Sequence, residues 1–560
     1  MTGEIDEFAD SILLGQVVTS DGNSTLAEAV AIKGGRIIEV GARKDVMRLH
    51  DSRTEVHDFG TAAIVPGFND THAHMDTEGL KLMRPSLAGA RSIADVLARI
   101  TDLATKTPAG SWIVTMPVGD PPHYFGGPAS LAEGRMPVRE ELDRAAPDHP
   151  VCILPPSGYW GKPPCYMALN SLALKLNGIG RGTMPRLAGI EILKNQGGEP
   201  NGVFVDHNPR ESAQLDLMPE VPKFSHEDRR NGVREAMRLY HSKGTTSIYE
   251  GHGCSPEVMQ IYQDLWNAGE LTMRVGMVIN PSWSSVAEAE TTMRDWLSYA
   301  RGRGLGDSML RVSGIHIGYG GDPLAARLAR EQANDTGYWS FHWHAFTATE
   351  FEELCMLAAK YNLRMHTIAS AGKQREIIPI LERVDSQYGI RSRRWVLEHM
   401  SLSRMEDLRA LKALGAGVTL IPLHHLWKNG ASFFDLGEAE SELVAPAKQL
   451  RDLGVPVAAG TDNTPYDPLA VMYAMMCREE RTTKRVIGEA GTVTAEAALE
   501  ALTWAGAWFT FEEDRKGRLV AGHFADCAVL SQNPLTAAPH ELAQIDCLAT
   551  MVDGSFVYGP

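Results

Sequence analysis

The sequence lacks several features that mark whole classes of protein. No apolar run reaches the roughly 18–20 residues that a membrane-spanning helix needs. Basic residues are outnumbered, 54 Lys and Arg against 70 Asp and Glu, and are scattered rather than clustered. Residues 1–10 contain four acidic side chains and no apolar core, unlike a signal peptide. We therefore expect neither nucleic acid nor a membrane as a partner.

Cysteine is scarce and shows no paired spacing. The seven cysteines are widely separated and odd in number, which is typical of reduced, mostly buried thiols in a cytoplasmic protein. No glycine-rich phosphate loop follows a predicted strand, and no short-period repeat is evident. With 560 residues, 44% of them hydrophobic, the chain is long enough for more than one domain or for one large barrel with additions.

Both ends of the chain predict small β segments. Two pairs of short strands are each joined by a tight turn, Gly34-Gly35 or Asp553-Gly554: 29–33 with 36–40, and 548–552 with 555–558. Because an isolated hairpin is only marginally stable, we expect the two ends to combine. The prediction is one composite β-sandwich domain formed by residues 1–62 and 506–560.

Between these ends, apolar strands alternate with helical patterns, which is typical of parallel βα units. The predicted strands are 64–70, 245–249, 274–279, 310–317, 363–368, 395–397, 417–421 and 455–459. Eight such strands close a (β/α)8 barrel, expected over residues 63–505. The gap after the first strand is too long for one crossover, so it predicts an inserted lobe at about 79–239.

Two histidines stand one residue apart where the first predicted barrel strand ends. Because side chains alternate along a strand, His72 and His74 should point the same way. Two neutral imidazoles converging from one strand end are natural ligands for zinc. The alternative is a pair of ordinary polar residues at a strand exit. Pro66-Gly67 and Asp70 precede the pair at set distances, and candidate ligands recur downstream, so the pattern favours a metal site.

Other metal-binding or acid–base side chains follow the remaining predicted strands: Glu250 and His252, His316, His366, His399, His424 and His425, and Asp462. In a barrel the ends of these strands meet at one mouth. Scattered histidines would instead fall within helices about as often as at strand ends. For His366 or His399 alone, a hydrogen-bonded core histidine is the competing interpretation. For Asp462 the alternative is a cap on the next helix.

Several motifs occur in an order that resembles the amidohydrolase superfamily, and specifically the family-3 branch that includes N-substituted formamide deformylases. They are VPGFNDTHAH at 65–74, LNSLAL at 169–174, PNGVF at 200–204, GTTS at 244–247, LEH at 397–399, GTD at 460–462 and GHFAD at 522–526. The resemblance runs nearly end to end. It implies an α/β fold, a distorted (β/α)8 TIM barrel with a composite β-sandwich domain from both termini and a large insertion after barrel strand 1.

The resemblance also implies a metal-dependent hydrolase of a C–N bond in a small molecule: an amide, formamide, lactam or carbamate. Zinc is expected, with one ion preferred, and two ions or another divalent metal left open. The implied ligands are His72, His74, His366 and Asp462, with His399 as a further ligand or a residue facing the substrate. Zinc bound to such a set lowers the pKa of its water to roughly 7. Asp462 would take the proton from water and deliver it to the departing amine.

One departure from the branch concerns the fourth strand, where its members usually carry a lysine that is carboxylated and bridges two ions. Here His316 stands in that place. An imidazole cannot replace a bridging carbamate, because its two nitrogens point apart and one usually stays protonated. A bridged pair of ions would need Glu250 or Asp322 as the carboxylate. The single-metal scheme leaves His316 and His399 as additional ligands or as acids beside the metal.

Substrate contacts are expected from the barrel loops and the inserted lobe. The candidates are Tyr159, Trp160, His316, His344 and His424, for which plain packing is the competing interpretation. Tyr159 stands where the branch tends to have histidine, and Ala369-Ser370 replaces a Gly-Asp pair, so the deformylase substrate does not transfer directly. Arg478 is a candidate for a substrate carboxylate or for an ion pair on a helix surface. Homo-oligomerisation stays open.

Two other functions fit the same residues. A single-metal lyase, such as an aromatic-acid decarboxylase, would use the same His/Asp set with the metal binding the acid. A binding protein that kept the barrel and lost turnover is the alternative outside enzymes, although an intact His-x-His pair with Asp462 counts against it.

Overall fold

The computed structural model describes residues 8–22, 25–156, 161–208, 212–331 and 344–560. Its strands are β1 Ser11–Val18, β2 Leu26–Lys33, β3 Arg36–Gly41, β4 Glu55–Pro66, β5 Phe68–Ala73, β6 Ile113–Thr115, β7 Val151–Ile153, β8 Cys165–Leu169, β9 Ile190–Lys194, β10 Pro200–Asp206, β11 Thr245–Cys254, β12 Arg274–Ile279, β13 Leu305–Gly306, β14 Leu310–His316, β15 Met365–Ile368, β16 Val396–Glu398, β17 Gly417–Leu420, β18 Val457–Ala459, β19 Cys527–Leu530, β20 Cys547–Val552 and β21 Ser555–Tyr558.

The α-helices include those that alternate with the barrel strands, those of the inserted lobe and one short helix beside the terminal sheet. They are Arg43–Val46, Met75–Glu78, Ile93–Lys106, Arg139–Ala145, Ser171–Leu176, Ser212–Leu217, His226–His241, Pro256–Asn267, Val286–Asp295, Pro323–Glu331, Ala348–Lys360, Gln374–Tyr388, Met405–Leu414, Glu438–Ser441, Ala447–Asp452, Pro468–Cys477, Ala495–Ala501 and Trp504–Phe509. A π-helical turn, Leu423–Lys428, follows the seventh barrel strand.

Eight parallel strands form the barrel, in the order β5-β11-β12-β14-β15-β16-β17-β18. The predicted distorted (β/α)8 fold is confirmed. The first and last strands share no ladder, but residues just beyond them are bonded: the Asp462 amide donates to the His72 carbonyl at 2.8 Å. The seam of the barrel therefore lies beside the first pair of histidines.

For the first barrel strand, predicted over 64–70, the predicted starting residue was wrong. Residues 64–66 belong to β4, which pairs with β19 in a different sheet, and the barrel strand begins at Phe68. The chain changes sheets at Gly67, where a Cβ atom would stand 2.2 Å from Thr246 Oγ1. A continuous apolar run hides such a change, because both strands are buried.

Both ends of the chain build one seven-stranded sheet, in the order β21-β20-β19-β4-β1-β2-β3. The two predicted hairpins are present as the antiparallel pairs β2–β3 and β20–β21. Arg274, at the start of a barrel strand, joins this sheet to the barrel. Its Nε lies 2.6 Å from Asp526 Oδ2 and its Nη2 lies 2.9 Å from Asp553 Oδ1.

A third sheet is built from residues between the first and second barrel strands, as the predicted insertion requires. Its five strands run in the order β6-β7-β8-β10-β9. Apolar side chains from these strands pack with those of the helix Ile93–Lys106 into a separate core. The lobe therefore has an apolar core of its own beside the barrel.

All seven cysteines are free, and five are buried. Burial raises the pKa of the Cys152 thiol to about 12, so this thiol is protonated at neutral pH. Among the described residues, no helix has both the length and the apolar character needed to cross a bilayer. A cytoplasmic location stays a prediction.

His241 ends a barrel helix far from the mouth, and both of its ring nitrogens are engaged. Nδ1 lies 3.0 Å from the Thr245 carbonyl and Nε2 lies 3.0 Å from Thr272 Oγ1. Burial lowers its pKa to about 4, and the Thr245 contact opposes that shift only in part. Between pH 6.5 and 4 the unfolded chain therefore binds a proton at this site that the folded chain does not.

Acidification is expected to destabilise the fold partly through this histidine. Because the unfolded state binds more protons in this window, the free energy of unfolding falls as the pH falls, and His241 contributes about 2–3 kcal/mol of the loss between pH 7.5 and 4.5. Urea unfolding at both pH values measures it in wild type and in His241→Asn, which keeps an N–H near Thr245. The variant should lose less stability on acidification. An equal loss in both proteins contradicts the assignment.

Candidate metal centre

Four buried side chains from four strand ends converge at the barrel mouth. His72, His252, His399 and Asp462 each offer a ligand atom, and these atoms all lie within 4.8 Å of one another. None of the four residues is more than 6% exposed. The sequence positions span almost 400 residues, so only the closed barrel brings them together.

Asp462 is at the centre of the group. Its Oδ1 lies 3.1 Å from His74 Nε2 and 3.9 Å from His72 Nε2. Its Oδ2 lies 3.5 Å from His424 Nδ1 and 3.8 Å from His399 Nε2. Within the described residues neither oxygen accepts a hydrogen bond, although the side chain is fully buried.

A cation accounts for this arrangement better than hydrogen bonding does. A buried carboxylate without hydrogen bonds is costly unless another charge compensates it. Zinc with tetrahedral bonds of roughly 2.0–2.1 Å places neighbouring ligand atoms about 3.3 Å apart. The spacing of the imidazole nitrogens around Asp462 is close to that value, so the residues present fit a divalent metal.

Two polar residues hold the seam of the barrel in register beneath this group. Asp70 accepts hydrogen bonds from the Thr461 amide at 2.9 Å, the Thr461 hydroxyl at 2.5 Å and the His72 amide at 3.3 Å. The Asn463 side chain donates to the His74 carbonyl at 2.7 Å and accepts from its amide at 3.1 Å. These bonds position the chain on both sides of Asp462.

The backbone is left-handed at several of the strand exits. His252, His399, Asp462 and Asn463 have φ angles of 59°, 58°, 50° and 52°. For residues other than glycine such a conformation costs about 1–3 kcal/mol each, and it concentrates at functional sites. Here the left-handed conformation turns the side chains of three different strand ends towards one point.

Burial keeps the His72 and His252 rings neutral. It lowers the pKa of His72 and of His252 well below the usual range, and neighbouring imidazoles, His399 and His72 respectively, lower it further. Uncharged rings present lone pairs at neutral pH, which is the form that binds a metal.

His366, one of the predicted ligands, lies outside the ligand groups found among the described residues. Its Nδ1 lies 2.9 Å from Glu398 Oε1 and its Nε2 lies 3.2 Å from the Tyr249 hydroxyl. Burial lowers its pKa to about 4, although the Glu398 contact opposes the shift. Its role as a ligand stays a prediction, and it would require one of these contacts to be exchanged.

His316 belongs to a second group, in which it, His252 and Glu398 offer atoms within 4.8 Å of one another. The two carboxylates predicted as possible bridges, Glu250 and Asp322, both accept hydrogen bonds from protein groups. Glu250 accepts a hydrogen bond from the Tyr262 hydroxyl, and burial raises its pKa far above the usual range. Asp322 accepts from the amides of the helix that follows it. Glu250 also belongs to a third group, in which it, His74 and Asp76 offer atoms within 4.8 Å of one another, so a bridging role for it stays a prediction.

Two residues of the site were given no role in the predicted ligand set. His252 was noted only as a strand-end residue, and Asn463 was not considered. The signal for His252 lies in its glycine neighbour: a Cβ atom at Gly251 would stand 2.4 Å from His72 Nε2. The same holds for Gly460, where a Cβ atom would stand 2.5 Å from His72 Cβ. Glycine on two strand ends is thus what lets the other chains approach His72.

Of the residues predicted to contact the substrate, those that the structure describes do not form one group. Tyr159 and Trp160 lie outside the described residues. His344 Nε2 contacts the Pro281 carbonyl at 2.6 Å, and its ring centre lies 6.4 Å from that of His316. His424 lies beside Asp462, as described above.

Arg478 is neither a contact for a substrate carboxylate nor part of a surface ion pair. The side chain is buried, with 1% of the residue exposed. Its guanidinium donates to the main-chain carbonyls of Ile487, Ser441 and Val444. It therefore stabilises the loops after the seventh and eighth strands.

Comparison with known proteins places these features in a family. The model of the amidohydrolase family matches residues 55–558. The chain is 24% identical to an N-substituted formamide deformylase of Arthrobacter pascens over 98% of each protein. It is 23% identical to the putative amidohydrolase YtcJ of Bacillus subtilis (strain 168) over 95% of this chain and 96% of that protein.

Solved structures share the fold. A metal-dependent hydrolase of Pyrococcus furiosus superposes with a TM-score of 0.67 at 19% identity, over 94% of this chain and all of that one. The zinc complex of atrazine chlorohydrolase TrzN of Arthrobacter aurescens TC1 superposes with a TM-score of 0.52 at 14% identity, over 98% and 95% of the two chains.

Proposed function

The chain belongs to the amidohydrolase family, and from that premise we propose that it is a metal-dependent hydrolase that cleaves a C–N bond in a small molecule. The bond classes are an amide, formamide, lactam or carbamate. The observation that carries the proposal is the buried Asp462 carboxylate with four imidazole nitrogens 3.1–3.9 Å from its oxygens.

His72, His74, His399 and Asp462 would hold one zinc ion. The Nε2 atom of each histidine lies 3.1–3.9 Å from an Asp462 oxygen, neither of which has a hydrogen-bond partner among the described residues, and burial lowers the pKa of His72. His252 is close enough to join them. A zinc ion bound here would supply Lewis-acid activation of water and of a substrate carbonyl.

Asp462 would move the proton. Its buried Oδ2 lies 3.5 Å from Nδ1 of His424, whose side chain is 26% exposed, so substrate would approach from the His424 side. There it would accept a proton from the attacking water and return it to the leaving nitrogen. A positioned general base of this kind contributes about 10²–10⁴-fold to the rate. His399, whose Nε2 lies 3.8 Å from the same oxygen, would hold the metal beside it.

Product analysis tests the reaction class. Zinc-loaded enzyme is incubated with N-benzylformamide, a simple lactam, an N-acyl amine and a carbamate in ¹⁸O-labelled water. Hydrolysis releases an amine and places labelled oxygen in the acid product, and treatment with a chelator should abolish both. Evolution of carbon dioxide from an aromatic acid, without label, would indicate the lyase instead. Zinc binding with no turnover of any compound would indicate a binding protein.

A further inference from the structure

A cavity of about 340 Å³ lies between the inserted lobe and the loops of the barrel. Its volume is within the range of small-molecule sites. Within the described part of the chain, its lining contains two cations, Lys162 and Arg481, and no carboxylate. The charge of the cavity is thus opposite to that of the chain as a whole, which is −16.

Phe125 is one of the aromatic residues that line the cavity, and two rings outside the lining, His123 and Trp427, pack against it. His123 stacks on Phe125 with ring centres 4.7 Å apart. The Trp427 ring centre lies 5.3 Å from that of His123 and 6.1 Å from that of Phe125. The Arg481 guanidinium lies 4.3 Å from the centre of the Phe125 ring. An apolar ring in the ligand would find stacking partners here.

Lys428 connects this cavity to the candidate metal centre. It is 1% exposed, and its ammonium lies 5.7 Å from the centre of the Phe125 ring. It ends the π-helical turn that contains His424, whose Nδ1 is 3.5 Å from Asp462 Oδ2. Residues four apart on a helical turn lie on one side, with Cβ atoms about 5–6 Å apart.

The charges around Lys428 come from both sites. Asp462 stabilises its ammonium, and Lys162 and Arg481 repel it. Burial lowers its pKa to about 8, so most of the side chain is charged at neutral pH.

We propose that Lys428 and Arg481 bind a carboxylate carried by the substrate, with the organic body of the substrate against Phe125 and Trp427. The inference builds on the proposed function, which puts the scissile carbonyl at Asp462. The substrate class is then an N-acyl or N-formyl compound whose amine portion bears an aromatic or apolar group and a carboxylate. An arginine fork and a buried ammonium are the groups that recognise such an anion.

The test is ligand binding by titration calorimetry, which needs no turnover. Phenylacetate and its neutral isostere phenylacetamide are titrated into zinc-loaded wild type, Lys428→Met and Arg481→Gln. Wild type should bind phenylacetate at least about tenfold more tightly than phenylacetamide. Each variant should weaken phenylacetate binding about 10- to 100-fold, since a hydrogen bond to a charged group is lost, and leave phenylacetamide within twofold.

Arg485→Gln is the matched control. Arg485 is four residues from Arg481 in the same loop, but its guanidinium lies over Phe434 and donates to the Phe434 carbonyl. This variant should bind both compounds like wild type. If Lys428→Met fails to fold, the Arg481→Gln variant alone tests the carboxylate site. Because Arg481 is only partly buried, its substitution should not prevent folding.

Two outcomes overturn the proposal: equal affinity of wild type for the two compounds, or phenylacetate binding that survives both substitutions and disappears when the metal is removed. The second would place the carboxylate on the metal. Hydrolysis of N-(4-carboxybenzyl)formamide beside N-benzylformamide separates this inference from the reaction class. Turnover of both with equal KM contradicts only the carboxylate site, whereas binding without turnover contradicts only the hydrolase.

Discussion

Replacing Asp462 by asparagine is expected to lower kcat for C–N hydrolysis by about 10²–10⁴-fold. Asparagine has the same shape, so the buried position stays filled, but its amide cannot accept the proton of water at neutral pH. It also removes the negative charge that four imidazole nitrogens surround at 3.1–3.9 Å. The measurement is amine release from the best of the four test compounds, with the zinc content of each preparation determined beside it.

Asp467→Asn is the control for this substitution. Asp467 caps the helix Pro468–Cys477 by accepting from the amides of Leu469 and Ala470, and it pairs with Lys243 at 2.8 Å. Asparagine is an equally good N-cap, and an ion pair this exposed contributes little. The variant should keep near wild-type activity. A zinc-replete Asp462→Asn enzyme with unchanged kcat would rule out Asp462 as the proton carrier.

Replacing His72 by alanine is expected to remove the metal. The ring is fully buried, and its Nε2 lies 2.9 Å from that of His399 and 3.9 Å from Asp462 Oδ1, so its loss opens the middle of the ligand set. After dialysis, elemental analysis should find about one zinc per wild-type chain and well under half in the variant. Zinc at a thousandfold excess over its Kd should stabilise wild type by about 4 kcal/mol and the variant far less.

Two further variants serve as a surface control and as a test of the number of metal ions. His207→Ala, on the exposed surface of the lobe beside Glu191, should leave the zinc content unchanged. His316→Ala should also retain one ion if a single metal is held by the Asp462 group, because His316 belongs to the group with His252 and Glu398. Two zinc ions in wild type that fall to one in His316→Ala would contradict the single-metal scheme.

Local patterns were sufficient for most of the framework. Glycine pairs marked the two hairpins, and runs of buried apolar residues marked the eight barrel strands, because turn geometry and strand burial depend on neighbours along the chain. The first barrel strand was the exception. Its apolar run is continuous across Gly67, and only the packing of Thr246 against that glycine shows where one sheet ends and the other begins.

The candidate site likewise has one part that the sequence predicts and another that it does not. That His72, His74, His399 and Asp462 face one mouth could be predicted, since the C-terminal ends of parallel strands meet there. Which histidines face Asp462 could not. His366 ends a strand as they do, yet Glu398 and the Tyr249 hydroxyl engage both of its nitrogens. His252 enters the group because its backbone turns left-handed beside Gly251.

Patterns along the chain were enough to predict the barrel, the composite sheet from both termini, the family and the kinds of side chain available to a metal. Only the folded chain shows which of those side chains share a point in space, and that Lys428 and Arg481 both lie near the Phe125 ring. The physical reason is that strand formation depends on local patterns, whereas the direction of a side chain at a strand exit depends on contacts such as Asp70 with Thr461, which are 391 residues apart.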